Sequence, residues 1–565
     1  MRSYGVNVKN ARRLHNALVQ KFGLEVRIPV TDFVHMEGPH TVTIPYLKPS
    51  DLFETVLLKE PWLLLGGSAD ANSQQLLQTF WRCYEKEHPD HEVFLHGRDR
   101  LDRTVPVTLH GDGGRTQKKQ PLEIFSMQPV LGLNSRSTNE SNQCCCETSE
   151  LFGGDNPGDP LAQHINSKHN SYLTHFLIFA YPSKKYKDFK GLLLALLERA
   201  CSDLGTLCAT GVTGFDKEKW YPACVGFKLD MEWMAKSGSL TRSYQNVGET
   251  KEHACCHECD AGMPGVPFEN VNADAEWIPT RFNTVPWRVE PPWKNNPFDT
   301  ARPAKFLRRD AFHIYRLGIL RNFIGSCIYL LVYMECFTVQ GESNAMAKCL
   351  ERAWGNLMLF CNVQNLRVDG VRGFTVLNLH ASKGAFPWLG CKGSDSIVLL
   401  KWLIFLARLH LSDAAGLSVQ NQQVLSWIVK GAKAGLSFSQ GIHGHGLWLR
   451  GSCVKFLRNA SQQFGASYAH LAAYCLRKNW TFFGMVPKLH ASMHFRTELD
   501  DSLQENREWT LNPACFDNSM SEDFIGRVAR QSRRISFKNV ERTILSSYKV
   551  KLQFEVKDFK RRRGQ

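Results

Sequence analysis

The sequence predicts an α/β fold: a mixed sheet in the order β-β-β-α-β, interrupted by a Cys/His-rich insert and then by a large α-helical insertion. Three observations predict it. Three β-type runs (residues 104–109, 122–133 and 172–181) come before one amphipathic helix (189–207) and a fourth β run (220–229). An aspartate follows the first run and another the fourth, Asp112 and Asp230. Much of 310–480 then repeats helical patterns broken by Gly-rich turns. Hydrophobic residues make up 43% of the 565, which supports packed cores and excludes a mainly disordered chain.

The elements follow in order. Residues 1–100 read as mostly helical, with apolar spacing over 47–65 and 75–84 and no catalytic pattern. Met1-Arg-Ser-Tyr-Gly lacks the apolar core of a secretory signal, so none is expected. The strand at 104–109 runs into His110-Gly-Asp112-Gly-Gly, and Asp before Gly is on its own a common turn. Residues 134–160 read as a Ser/Asn/Gly-rich loop carrying Cys144, Cys145 and Cys146. The helix presents Leu192, Leu193, Leu196, Leu197 and Ala200 on one stripe. The fourth strand delivers Asp230. If the first and fourth strands are neighbours, both carboxylates leave the same end of the sheet and can share a divalent ion. This is the strand order of the ribonuclease-H-like nucleases and transposases.

Eighteen cysteines without a secretory signal point to thiols and metal ligands rather than disulfides. Cys256-x-x-Cys259 has the spacing of half a tetrahedral zinc site, with Cys255, His253 and His257 as local candidates for the rest. A zinc-knuckle-like insert with structural zinc is expected, the alternative being a compact loop of reduced cysteines. After an extended connector (268–299), Asp310-Ala-Phe-His313 opens an amphipathic helix. His490 and His494 stand four apart, on one face if helical. A last helix begins near Ser521-Glu522-Asp523, where an acid is also favoured by the helix dipole. The apolar stretches 322–337 and 397–411 are too short or too charged for a membrane span, so no membrane partner is expected. The expected divisions are an N-terminal helical region (1–100), the first part of the sheet core (101–245), the insert and connector (246–300), the helical insertion (301–485), the last part of the core with Glu522 (486–545) and a basic tail (546–565).

Taken together, the HGDGG motif at Asp112, GFKLD ending in Asp230, Cys256-x-x-Cys259, DAFH from Asp310, PKLHASMH from 487 and SEDFIGRVAR from 521 form an ordered set. The set resembles the DDE transposases of cut-and-paste DNA transposons, especially the CACTA-like group and its Plavaka and Kyakuja-type relatives, over roughly residues 100–545. The resemblance implies that Asp112, Asp230 and Glu522 hold catalytic Mg²⁺ or Mn²⁺, with Asp310 as the alternative second aspartate. It implies supporting roles for His313, His490 and His494. It departs from the family pattern at Leu229, where relatives often carry Gly, and in the irregular stretch 134–160. The implied activity is metal-dependent cleavage and strand transfer of DNA phosphodiesters; the alternative is a catalytically inactive, transposase-derived nuclear DNA-binding protein.

The charge agrees with a polyanionic partner. Lys+Arg number 69 against 54 Asp+Glu, a net +15, and thirteen basic against three acidic residues fall between Arg527 and Arg563. Arg527, Arg530, Arg533, Arg534 and Lys538, then Arg561, Arg562 and Arg563, are the candidate DNA contacts, with transposon ends and target as the DNA. The C-terminal Lys560-Arg-Arg-Arg563 run also suits nuclear import. A homo-oligomer is compatible with this reading, and the basic tail is expected beside the carboxylates.

Overall fold

Strands form where the chain alternates or runs apolar between turn residues, and the first does so earlier than the sequence predicts. A computed structural model describes residue 19 and residues 22–70, 72–115, 120–135, 158–247, 253–381, 384–413 and 416–564. The Cys144, Cys145 and Cys146 cluster lies outside the described residues. β1 (Thr31–Glu37) and β2 (His40–Tyr46) make an antiparallel hairpin in the region expected to be helical. Strict alternation in β1, with every second residue exposed, is the two-residue period of a half-covered strand. Helices α1 (Pro49–Lys59) and α2 (Asn72–Glu87) follow, as the apolar spacing predicts.

The central sheet is built from β3 (Thr104–Arg115), β4 (Pro121–Pro129), β5 (Phe176–Pro182), β6 (Val212–Thr213) and β7 (Lys219–Leu229), with α3 (Leu192–Thr210) between β5 and β6 and α4 (Met231–Ser237) after β7. A sixth strand, β8 (Leu307–Arg309), joins it from within the supposed helical insertion. The order is β5-β4-β3-β7-β6, with β8 also against β7. β3 pairs antiparallel with β4, and β4 with β5, whereas β3–β7 and β7–β8 are parallel. The fold is therefore mixed α/β around a mixed sheet. Parallel pairing of β3 with β7 is what places Asp112 and Asp230 at one end. His110 lies opposite Lys228, so the same register carried two residues on sets Asp112 beside Asp230. Leu229 lies opposite Arg309, which sets Asp230 beside Asp310.

The helical block comprises α5 (Phe312–Tyr333), α6 (Met346–Val363), α7 (Gly393–Ser412), α8 (Val419–Gly444), α9 (Gly451–Arg477) and α10 (Pro487–Gln504). A two-stranded ribbon of β9 (Trp448–Arg450) and β10 (Trp509–Leu511) lies at its border. α5 has the length and apolarity to cross a membrane, but 78% of its most apolar window is buried inside the fold, as in a core helix. Its first turns, Phe312–Ile319, are wound as a π-helix. The chain ends in α11 (Ser519–Ser532) and α12 (Val540–Arg562).

Two hydrophobic cores result, one between the sheet and α1–α3, α11 and α12, the other inside the helical block together with Cys255, Cys256 and Cys259. Two expected boundaries move accordingly. α10 belongs with the helical core through Leu489, Met493 and Leu499. Of the expected basic tail, residues 546–564 are no free tail: Tyr548, Leu552 and Val556 are buried in the sheet core, and the Tyr548 hydroxyl donates to the His175 carbonyl at the start of β5. Covering the edge strand β5 is a structural duty, since an open edge exposes unpaired backbone groups.

Candidate functional site

Two glycines of the HGDGG motif let other elements approach β3. A Cβ on Gly111 would lie 2.0 Å from the Trp233 ring of α4, and one on Gly114 would lie 3.2 Å from Ala529 and 3.5 Å from Ile525 of α11. α4 is held at the strand end because Asp230 caps it, accepting from the Trp233 amide at 2.6 Å. α11 is tied down at its start by Ser521, whose hydroxyl is 3.0 Å from His175 Nε2, and by Asp523, which accepts from the Ser171 hydroxyl at 2.7 Å. Its apolar face (Phe524, Ile525, Val528, Ala529) turns into the core, leaving Glu522 on the side toward Asp112.

Three carboxylates thereby converge. Burial, a hydrogen bond with Glu522, and the charges of Glu522 and Asp230 push the Asp112 pKa up to about 10. Asp112 also accepts from the Gly113 amide at 2.5 Å. The Glu522 side chain stays 36% exposed, so the cluster opens to solvent.

Asp310 takes a different position. It is 2% exposed, and its Oδ1 accepts from the amides of Phe312 (2.8 Å) and Asn518 (3.0 Å), while Oδ2 pairs with His313 Nδ1. His313 Nε2 stands 3.5 Å from Glu522. Burial opposes a charged His313, but the hydrogen bond and charge of Asp310, with Glu522 and Asp230 beyond, outweigh it and raise the pKa. Of the two alternative second acids, Asp230 faces Asp112 and Asp310 orients a histidine. The Lys488 stem crosses bare Gly318 of α5, where a Cβ would meet Lys488 Cδ at 2.8 Å.

A second cluster lies alongside. Cys256, Cys259, His490 and His494 are all buried, with their ligand atoms within 4.8 Å of one another. Cys256 Sγ is 3.3 Å from His494 Nε2, Cys259 Sγ is 3.3 Å from His490 Nε2, and the two Nε2 atoms are 3.1 Å apart. Tetrahedral zinc with Zn–S about 2.3 Å and Zn–N about 2.0–2.1 Å implies S–N and N–N edges of roughly 3.5 and 3.3 Å, so these contacts suit such an ion. Burial alone would raise the Cys256 thiol, but the Cys259 hydrogen bond and His494 hold it well below its usual range, which favours one thiolate in the pair. This buried Cys2His2 group can bind a structural metal such as zinc.

The expected ligand set is thus corrected. Cys256 and Cys259 stand, but the other two positions are His490 and His494, not Cys255, His253 or His257. His253 is exposed, burial pushes the Cys255 thiol up to about 12, and His257 turns toward Glu258, at 3.4 Å. The signal was present: a His-x-x-x-His pair on one helix face complements a Cys-x-x-Cys turn. What hid it was the sequence separation of 231 between Cys259 and His490. A narrow cavity of about 30 Å³ joins the two clusters, lined by Asp230, Asp310 and His313 on one side and Cys256, His490 and His494 on the other.

The basic residues divide in two. Arg533 donates to the Arg115 carbonyl at 3.3 Å, at the end of β3 just past Asp112. Arg530, Arg534 and Lys538 are exposed nearby in sequence, while Arg527 pairs with Asp523 at 2.6 Å. Arg561, Arg562 and Arg563 lie elsewhere. α12 starts beside Lys185, where Glu541 pairs with it, and ends where Phe559 stacks on Trp62 and Lys560 pairs with Glu60. Twenty-two residues of helical rise separate these ends by about 33 Å. The terminal arginines are therefore not beside the carboxylates, contrary to expectation. The strand end carries instead Lys184, Lys187 and Lys190, just after β5, which no motif singled out.

No protein-family model matches this chain, and no curated protein matches it in sequence.

Proposed function

We propose that this protein is a DDE-type transposase with a ribonuclease-H-like core, which cleaves DNA phosphodiesters and joins the freed 3′ end to a target strand. The observation that carries the reading is the meeting of Asp112, Asp230 and Glu522 from β3, the end of β7 and α11. The path β5-β4-β3-β7-β8, in which β4 runs antiparallel to β3 and β5 while β3, β7 and β8 are parallel, agrees with that core, the two-residue β6 adding an antiparallel pair on β7. The donor set is all oxygen, the choice of Mg²⁺ or Mn²⁺ rather than zinc. Three acids that repel one another, one forced to keep its proton, fit a place for cations. Divalent ions bound there would activate the attacking water and stabilise the leaving 3′ oxygen.

The chain's own groups supply the rest. His313, held by Asp310 and with its charged form favoured by the acids around it, stands beside Glu522 and can donate to a phosphate oxygen. Arg115, Lys184, Lys187, Lys190, Arg533, Arg534 and Lys538 gather at the carboxylate end and suit a phosphate backbone without reading sequence. Arg561, Arg562 and Arg563, at the far end, remain suited to nuclear import or to a second stretch of DNA. A nuclear location is part of this proposal, supported by the Lys560–Arg563 run.

The test is nicking of supercoiled plasmid and joining of a labelled duplex by the full chain with Mg²⁺ or Mn²⁺. Wild type is expected to nick, and Asp112→Asn, Asp230→Asn and Glu522→Gln to lose at least about a hundredfold, as when a principal electrostatic group is removed. Nicking that survives in Asp112→Asn would exclude the reading. Salt-sensitive DNA binding without nicking by wild type would favour the inactive DNA-binding alternative.

A further inference from the structure

We infer that Glu258 is a positioning residue that ties the Cys2His2 centre to strand β8, so that metal binding sets where Asp310 and His313 stand. Glu258 lies between the two ligand cysteines in the chain, and its side chain is 3% exposed. Its amide donates to Cys256 Sγ at 3.4 Å, and its carbonyl accepts from the Phe282 amide at 2.7 Å, so the residue is fixed at both backbone ends. One carboxylate oxygen is 3.3 Å from His494 Nδ1. His494 turns Nε2 toward the two sulfurs, and Nε2 can accept a metal only if Nδ1 carries the ring proton. The negative charge of this buried carboxylate, 3.3 Å away, favours a proton on Nδ1 and makes Nε2 a better donor.

The other oxygen of Glu258 pairs with the guanidinium of Arg309, the last residue of β8. On its far side Arg309 pairs with Glu498 at 2.6 Å, and Glu498 lies four residues after His494 on α10. Arg309 is therefore clamped between the cysteine loop and the histidine helix, the two elements that the metal would hold together. Asp310 is the next residue. β8 itself is only three residues long and pairs on one side, too little to fix its own position. Side-chain anchors must do so, and a buried arginine left with one carboxylate instead of two is costly. The path runs from the metal ligands through Glu258 and Arg309 to Asp310, then to His313 and Glu522.

The experiment uses the full chain in three forms: zinc-loaded wild type, chelator-stripped wild type and zinc-loaded Glu258→Gln. Zinc affinity is read by competition with a chromophoric chelator, and hydrogen exchange by mass spectrometry over residues 305–314. Glu258→Gln is expected to bind zinc about 10–100-fold more weakly. Exchange over 305–314 is expected to rise on the order of tenfold in the stripped and Glu258→Gln forms, with α8 unchanged. Unaltered zinc affinity in Glu258→Gln, or equal exchange over 305–314 with and without zinc, overturns the inference. Should Glu258→Gln fail to fold, Glu498→Gln takes its place: it should loosen 305–314 while leaving zinc affinity intact, and unchanged exchange there counts against the link. None of these readouts involves DNA, so the link is judged apart from the transposase reading.

Discussion

At the scale of single residues, Asp112 is the group whose surroundings matter most. Its unfolded pKa is about 3.9 and burial beside Glu522 and Asp230 raises the folded value to about 10. A raised carboxyl favours the protonated folded state, so its contribution is full below pH 4 and is lost as pH rises toward 10. Without Mg²⁺ or Mn²⁺, urea midpoints should therefore show wild type losing stability from pH 5 to pH 8. Asp112→Asn should lose about 1–2 kcal/mol less, after allowance for solvent screening at this partly open site. Equal slopes for the two proteins would mean that Asp112 is ionised like a surface acid. The three acids could be singled out in the sequence because each carries its own local motif, Asp112 inside β3 three residues before its end, Asp230 just after β7 and Glu522 in the first turn of α11. The complete Cys2His2 group could not, because His490 and His494 meet Cys256 and Cys259 only through the packing of α10 on the insert. Local neighbours such as His257 were the nearer choice in the chain and the wrong one in space.

At the scale of elements, periodicity found the long pieces and missed the short or heavily charged ones. β3, β4, β5, β7 and α3 lie close to their expected positions because each carries a continuous apolar run or stripe. β8 was illegible: Leu307-Arg-Arg309 has no period to read, and it becomes a strand only because β7 offers an edge. α12 was read as a tail because its lysines and arginines mask a stripe of Tyr548, Leu552 and Val556 at helical spacing. Leu552 is 1% exposed, so Leu552→Ala should cost about 2–5 kcal/mol in denaturant unfolding. Replacing Arg561 and Arg562, whose side chains are 80% and 76% exposed, by alanine should change stability by less than about 0.5 kcal/mol. If both substitutions left the midpoint unmoved, α12 would be a tail after all.

At the scale of the whole molecule, a sheet domain and a helical block meet along the line from Asp230 to His494. β8 and α5 emerge from the insertion to complete the sheet and to bring His313 to Glu522, so the insertion contributes to the site rather than only interrupting it. The central claim is that Asp112, Asp230 and Glu522 form one divalent-cation site. Its most direct measurement is Mn²⁺ binding to the zinc-loaded full chain, followed by electron paramagnetic resonance. The account predicts saturable binding by wild type, tighter as pH rises because Asp112 must give up its proton, and at least about tenfold weaker in Asp112→Asn. Mn²⁺ binding that is absent in wild type, or identical in Asp112→Asn, would contradict it.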